Sequence, residues 1–312
     1  MSSTDFEPAL ASAPQAGPAP TSQGRRLPRR YVAFGIIIVA IALLGTLVLV
    51  RDTYSPPSSP TTETFSAAPS SLVNTVASVP QSVYDTVGVE SPGNPVAPLQ
   101  ATSKGGNAPM WQATVNGGPR EPVVFFYGAE FAPYAAAERW PLVLALSRFG
   151  TFRRLGLAQS SATTAFANIS TFTFYDASYT SKYVILEPVE RYGSLNPTGA
   201  RYLSLQTPDR RGERAAIASY ASSATTFPLL DVGNRWVLNG AAFTPGVLTG
   251  LAQDQIAGDL SSPASPLTQA VVSAANEITA SICAVDGQKP GNVCESRGVL
   301  AADGALGITP PA

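Results

Sequence analysis

Residues 31–50, YVAFGIIIVAIALLGTLVLV, carry no charge and one internal polar side chain, Thr46. Twenty helical residues reach about 30 Å, the hydrocarbon thickness of a bilayer. A helix is the one open-ended element that satisfies its own backbone there. Arg25, Arg26, Arg29 and Arg30 precede the run, whereas Arg51 follows it and is offset by Asp52. The positive-inside bias therefore predicts a cytoplasmic amino terminus and an extracytoplasmic segment 51–312, in a single-pass protein of the cell membrane. A cleaved signal peptide would have a shorter apolar run ending in small residues. Here Leu-Val-Leu-Val runs directly into Arg51.

Composition excludes more than it assigns. The 312-residue chain has net charge −1 and 13% charged residues, so it carries no footprint for nucleic acid. It contains no histidine. That removes Ser-His-Asp and Cys-His catalysis, a histidine-bearing zinc site and imidazole-based pH switching. Lysine occurs only at 104, 182 and 289, preceded three residues earlier by Ala101, Tyr179 and Asp286, so no S-x-x-K pair exists. Phosphate-cradling glycine loops and calcium loops are absent too, and no cofactor or metal is called for. The two cysteines, Cys283 and Cys294, read as a structural disulfide in an oxidising compartment; two buried thiols are the alternative.

Residues 1–30, rich in Ala, Pro, Ser and Gln, read as a disordered cytoplasmic tail. Residues 51–107 read as a Pro/Ser/Thr-rich linker. Within it, residues 71–89 place Val and Leu at three- and four-residue intervals on either side of Pro80. That spacing fits two short amphipathic helices docked on the domain, with an unstructured linker as the alternative. A globular domain is expected over 108–300 and a flexible tail over 301–312.

Within the domain, 121–129 is a continuous apolar run suited to a buried central strand. A helix is expected over 135–150, opened by Pro133, kinked at Pro141 and capped by Gly150. Residues 171–176 and 183–187 read as strands and 208–221 as an exposed helix. Residues 227–240 read as a hairpin around Gly233-Asn234, and 244–258 and 265–285 as helices. The order predicts an α/β layer structure with helices covering a sheet.

The segment Tyr127-Gly128-Ala129-Glu130-Phe131-Ala132-Pro133-Tyr134-Ala135-Ala136-Ala137-Glu138-Arg139-Trp140 resembles the active-site stretch of a thioredoxin-like extracytoplasmic family, the domain-of-unknown-function 929 type. That family places Cys-Pro-aromatic-Cys at a helix start, followed by Ala-Glu-Arg-Trp. The resemblance continues through Ala145–Gly150, Thr171–Phe174 and Phe227–Asp231, and covers most of 108–300. It implies a thioredoxin-like α/β domain in which Pro228 is cis and faces the helix start. Such a dithiol works because a thiolate at a helix N-terminus has a lowered pKa and a second thiol resolves the mixed disulfide. Here Ala132 and Ala135 occupy both cysteine positions, so the fold and its groove are implied without the redox activity.

Three functions follow as expectations. The first is a redox-inert module binding a protein or peptide in a groove of Glu130, Phe131, Pro133, Tyr134, Trp140, Phe227 and Pro228. Core packing is the competing role for Trp140, and Glu138 with Arg139 could form a buried pair. The second is a cell-envelope enzyme, either a thiol oxidoreductase using Cys283 and Cys294 or a hydrolase using carboxylates such as Glu130 and Asp231. The third is a structural envelope protein.

Overall fold

The computed structural model describes residues 65–89, 97–102, 109–115, 117–194, 202–223 and 226–309, all within the compact unit Ser59–Ala312. The expected tail and membrane helix, residues 1–50, lie outside the described residues. Among the described residues no helix is long and apolar enough to cross a membrane.

In chain order the strands are β1 (Ser66–Ala67), β2 (Gln100–Ala101), β3 (Gln112–Thr114), β4 (Arg120–Gly128), β5 (Gly150–Gln159), β6 (Ser170–Ser181), β7 (Ile185–Glu190), β8 (Leu229–Val232) and β9 (Trp236–Asn239). The helices are α1 (Ser70–Ala77), α2 (Gln81–Val87), α3 (Pro133–Ser147), α4 (Arg211–Tyr220), α5 (Gln253–Asp259), α6 (Pro266–Asp286), α7 (Gly291–Cys294) and α8 (Arg297–Leu306).

The apolar run of β4 is central, as its composition predicts. It pairs in parallel with β7, from Val123 opposite Ile185 to Gly128 opposite Glu190. Its other edge pairs antiparallel with β8, Val124 to Val232 through Tyr127 to Leu229. Alternate side chains leave opposite faces. Phe126 lies 5.4 Å beneath the Arg139 guanidinium of α3, while Phe125 meets Trp111 at 5.4 Å on the other face, where Trp111 closes against Gly212 of α4. Both faces are covered, so β4 is buried from Val123 to Gly128. The β8–β9 hairpin turns through Gly233, Asn234 and Arg235, with Val232 opposite Trp236, and Gly233 and Asn234 take left-handed φ of 62° and 59°.

Between α3 and β7 the chain inserts β5 and β6, which β1 from upstream extends into a second sheet in the order β1-β5-β6. The expected Gly150 cap is corrected here. Helix α3 ends at Ser147 with Arg148 as its cap, and Gly150 opens β5. A Cβ at Gly150 would sit 2.3 Å from the Thr180 carbonyl, so the glycine serves strand pairing. The helix runs through Pro141, as expected, and the 244–258 segment divides into a 3-10 turn, Pro245–Leu248, and α5.

The domain is larger than 108–300. Both helices of 71–89 form and dock: Val76, Val79, Val83, Tyr84 and Val87 are buried. Asn276 of α6 donates to the Tyr84 and Gly88 carbonyls at 3.0 and 2.8 Å, and Arg148 covers the Tyr84 ring at 4.4 Å. The part of the expected linker from Phe65 to Gly88 is thus folded, and β2 and β3 add to the main sheet. The expected flexible tail at 301–312 begins inside α8, where Ala302 and Asp303 are buried. Cys283 and Cys294 form a disulfide, Cα–Cα 5.7 Å, tying the end of α6 to α7.

Candidate binding site at the start of helix α3

The chain leaves β4 along the line of its ladder. Arg191 N–H donates to the Gly128 carbonyl at 2.7 Å, and Glu130 N–H donates to the Tyr192 carbonyl at 2.8 Å. Gly128 is required where it stands, since a Cβ would lie 2.3 Å from the Phe126 ring and 3.1 Å from a Glu190 oxygen. A turn closed by Ala132 N–H to the Ala129 carbonyl leads into α3. Ala132 is the N-cap in extended conformation with no side-chain cap, and Pro133 takes the first helical position, where its missing N–H costs nothing.

Aromatic rings gather around this start. Phe131 stacks on Tyr202 with centroids 3.9 Å apart and meets Phe227 edge-on at 6.0 Å. Phe227 also meets Tyr127 at 5.1 Å and Tyr192 at 6.1 Å. Burial pushes the Tyr127 hydroxyl pKa up, partly opposed by Arg191. The Phe227–Pro228 bond is cis, as the resemblance implies, and feeds directly into β8. The loop from Ser160 to Ile169 closes over the other side. Ser161 N–H donates to the Phe131 carbonyl at 2.9 Å, Tyr202 hydroxyl donates to Ser161 Oγ at 2.8 Å, and Phe166 meets Tyr134 edge-on at 6.0 Å.

The predicted groove residues are therefore only partly assembled as a surface. Phe131, Pro133 and Tyr134 are half-buried, while Phe227, Pro228 and Ala132 are buried and Ala135 is fully so. Trp140 does not belong to the site: it lies in the core, against Phe172 at 4.7 Å, with its indole N–H donating to the Ser170 carbonyl at 3.0 Å. Two helical turns separate it from the α3 start. Glu130 is buried and faces the inserted sheet, accepting from Thr173 Oγ1 at 2.5 Å and from Ser194 Oγ at 3.4 Å.

Glu138 and Arg139 do not pair with each other. Arg139 makes a bidentate contact to Glu190 at 2.9 and 2.6 Å with both side chains fully buried, and Phe174 N–H adds 3.1 Å to the same carboxylate. This pair fixes α3 to β7 beneath the site. Glu138 accepts from Ala242 N–H at 2.9 Å, while its second oxygen is buried without a partner. Burial pushes its carboxyl pKa to about 8, opposed by the Ala242 bond and assisted by Glu277. At neutral pH the group is chiefly the neutral acid.

The carboxylates suggested for a hydrolase are not a pair. Asp231 lies opposite Phe125, five residues before Glu130 along the β4 direction, roughly 17 Å away at strand rise. Its Oδ1 accepts from Asn234 N–H at 2.7 Å within the hairpin turn. Cys283 and Cys294 are fully buried where the end of α6 meets α7, not among the residues at the start of α3. Among the described residues no cluster of metal ligands occurs. The site thus offers aromatic surface, a helix start and no nucleophile at 132 or 135. Sequence reasoning missed Phe166, Tyr192 and Tyr202, which sit on irregular segments where no periodicity marks a ring as part of a site.

No curated protein and no solved structure matches the chain. The family model described as "Domain of unknown function (DUF929)" matches residues 116–284, more than half of the chain and all of the elements from β4 to near the end of α6 that build the site, so the chain belongs to that family.

Proposed function

We propose that this chain is a thioredoxin-like domain without dithiol chemistry, tethered outside the membrane by residues 31–50, that binds a polypeptide at the start of α3. The order of elements supports the thioredoxin-like part. A parallel β4–α3–β7 unit is followed by α4, the antiparallel β8–β9 hairpin and α6, with a cis proline entering β8. The observation that carries the reading is the contact of Phe227 with Phe131. It brings the residue before that proline against the residue before the α3 cap, where the family pattern has its first cysteine.

In this reading Ala132 and Ala135 remove electron transfer and leave recognition. Phe131, Pro133 and Tyr134 form the accessible apolar face, backed by buried Phe227 and Pro228. Aromatic surface held on a rigid scaffold suits an extended peptide, whose side chains fill pockets while its backbone bonds to the edge.

A benzophenone amino acid at position 134 of the membrane-anchored protein in its source cells tests this. A discrete cross-linked adduct is expected from position 134 and not from Val115, which is 57% exposed and lies away from the site. Identical patterns from both positions, or no adduct from 134, refute the binding role.

A further inference from the structure

The membrane-proximal end of the described chain does more than connect. Ser66 pairs with Leu157 and Ala67 with Gly156 along the outer edge of β5, and Ala68 N–H donates to the Leu155 carbonyl at 2.8 Å. Phe65 lies in a notch that exists because residue 156 is glycine. A Cβ there would come within 2.7 Å of the Phe65 ring and 2.5 Å of Thr173 Cγ2. The Arg154 guanidinium covers the ring at 4.2 Å.

This strand is a small tenant on a longer edge. β1 covers two residues of a ten-residue strand. On its inner edge β5 pairs with β6 regularly over Gly150–Phe152 and Gly156–Gln159, with bulges between Phe152 and Gly156. Cavities flank the segment on both sides. One of about 190 Å³ lies between Phe65, Ala158 and the Glu130–Thr173 pair; another of about 300 Å³ lies between Pro69, Leu72, Leu157 and Ala257. Leu157 borders both. A segment with space on two sides and few backbone bonds has little to lose by leaving, and an unpaired strand edge readily takes another strand.

We infer that the outer edge of β5 is a strand-addition site for an extended polypeptide, and that residues 65–68 are an internal strap that fills it. The occupant is specified by the strap itself: an aromatic side chain for the Gly156 notch beneath Arg154, followed by small residues opposite Leu157 and Gly156. Backbone bonding to the edge supplies the binding, and the notch supplies the selection. Removing the strap also uncovers the cavity that reaches Glu130. The inference does not rest on the thioredoxin-like reading, and a failed cross-link from position 134 leaves it standing.

The test uses the full-length protein in detergent, where the disulfide leaves no free thiol. A fluorescein-labelled peptide with the sequence of residues 62–70 is titrated against the wild type and against Phe65→Ala, which empties the notch. Phe65→Ala should bind the peptide at least tenfold more tightly than the wild type. Binding should be lost when the phenylalanine of the peptide is alanine, or when Gly156→Ala is added to Phe65→Ala. Ala158→Cys, placed in the cavity wall, should react with a maleimide several-fold faster in the Phe65→Ala background. Equal peptide affinity for wild type and Phe65→Ala overturns the inference. So does faster labelling of Ala158→Cys without any peptide binding, because the strap would then be a cover and not the tenant of a strand site.

Discussion

Glu138→Gln should make the protein more stable at pH 8 and leave it nearly unchanged at pH 5. Glu138 is fully buried on α3, and its folded-state pKa of about 8 stands above the ordinary 4.5 because burial penalises the charge. An acid whose pKa is raised on folding stabilises most fully when protonated in both states, below pH 4.5. That stability is lost as pH rises toward the folded value. Each pH unit in that window costs about 1.4 kcal/mol, so the wild type should lose about 3 kcal/mol by pH 7 and about 4 by pH 8. Glutamine keeps an oxygen for the Ala242 N–H and cannot ionise. It places an NH2 where the second carboxyl oxygen is already without a partner, a cost the protonated acid shares. Urea unfolding at pH 5 and pH 8 measures the difference. The two proteins should agree within about 1 kcal/mol at pH 5, with the variant ahead by roughly 3–4 kcal/mol at pH 8. Equal destabilisation of Glu138→Gln at both values would refute the assignment of a neutral buried acid.

Other outcomes follow from the same packing. Glu277→Gln should act in the same direction over a narrower window, because burial lifts Glu277 to about 7. Arg139→Met should destabilise by roughly 3–5 kcal/mol, since it leaves Glu190 buried and charged; adding Glu190→Met should recover much of that, as a double-mutant cycle in urea would show. Replacing Cys283 and Cys294 by alanine should cost about 3 kcal/mol from loop closure alone. Gly298→Ala should loosen α2, because its Cβ would lie 2.4 Å from the Tyr84 carbonyl; amide exchange over residues 81–87 should quicken while that over β4 holds.

Much of the main sheet is legible in the chain. The unbroken apolar run of β4, the Gly233-Asn234 turn and the length of α6 each carry a single physical signal that the structure obeys. Strand β5 escapes because its bulges break the alternation that marks a strand, and because Gly150 imitates a helix cap. The two helices within 71–89 are legible in their apolar spacing, but the strand at Ser66–Ala67 is not, because Pro and Ser around it read as linker. The partners that dock the helices, Asn276, Arg148 and Gly298, are hidden because they lie far away in sequence. At the candidate site the helix start and Pro228 are readable as local motifs. Trp140 is misplaced because its helical face cannot be assigned before the neighbours are known. The rings of Tyr192 and Tyr202 are invisible, since nothing local on a loop says which ring it will meet.

The most direct measurement concerns the two alanines. If the start of α3 has thioredoxin-like geometry, Ala132→Cys with Ala135→Cys should form a reversible disulfide, and after reduction one thiol should titrate below the usual value of about 8.5. The wild type, whose two cysteines are already paired, should show neither signal. A folded double variant that keeps the Cys283–Cys294 bond, forms no second disulfide and titrates two ordinary thiols would contradict the account.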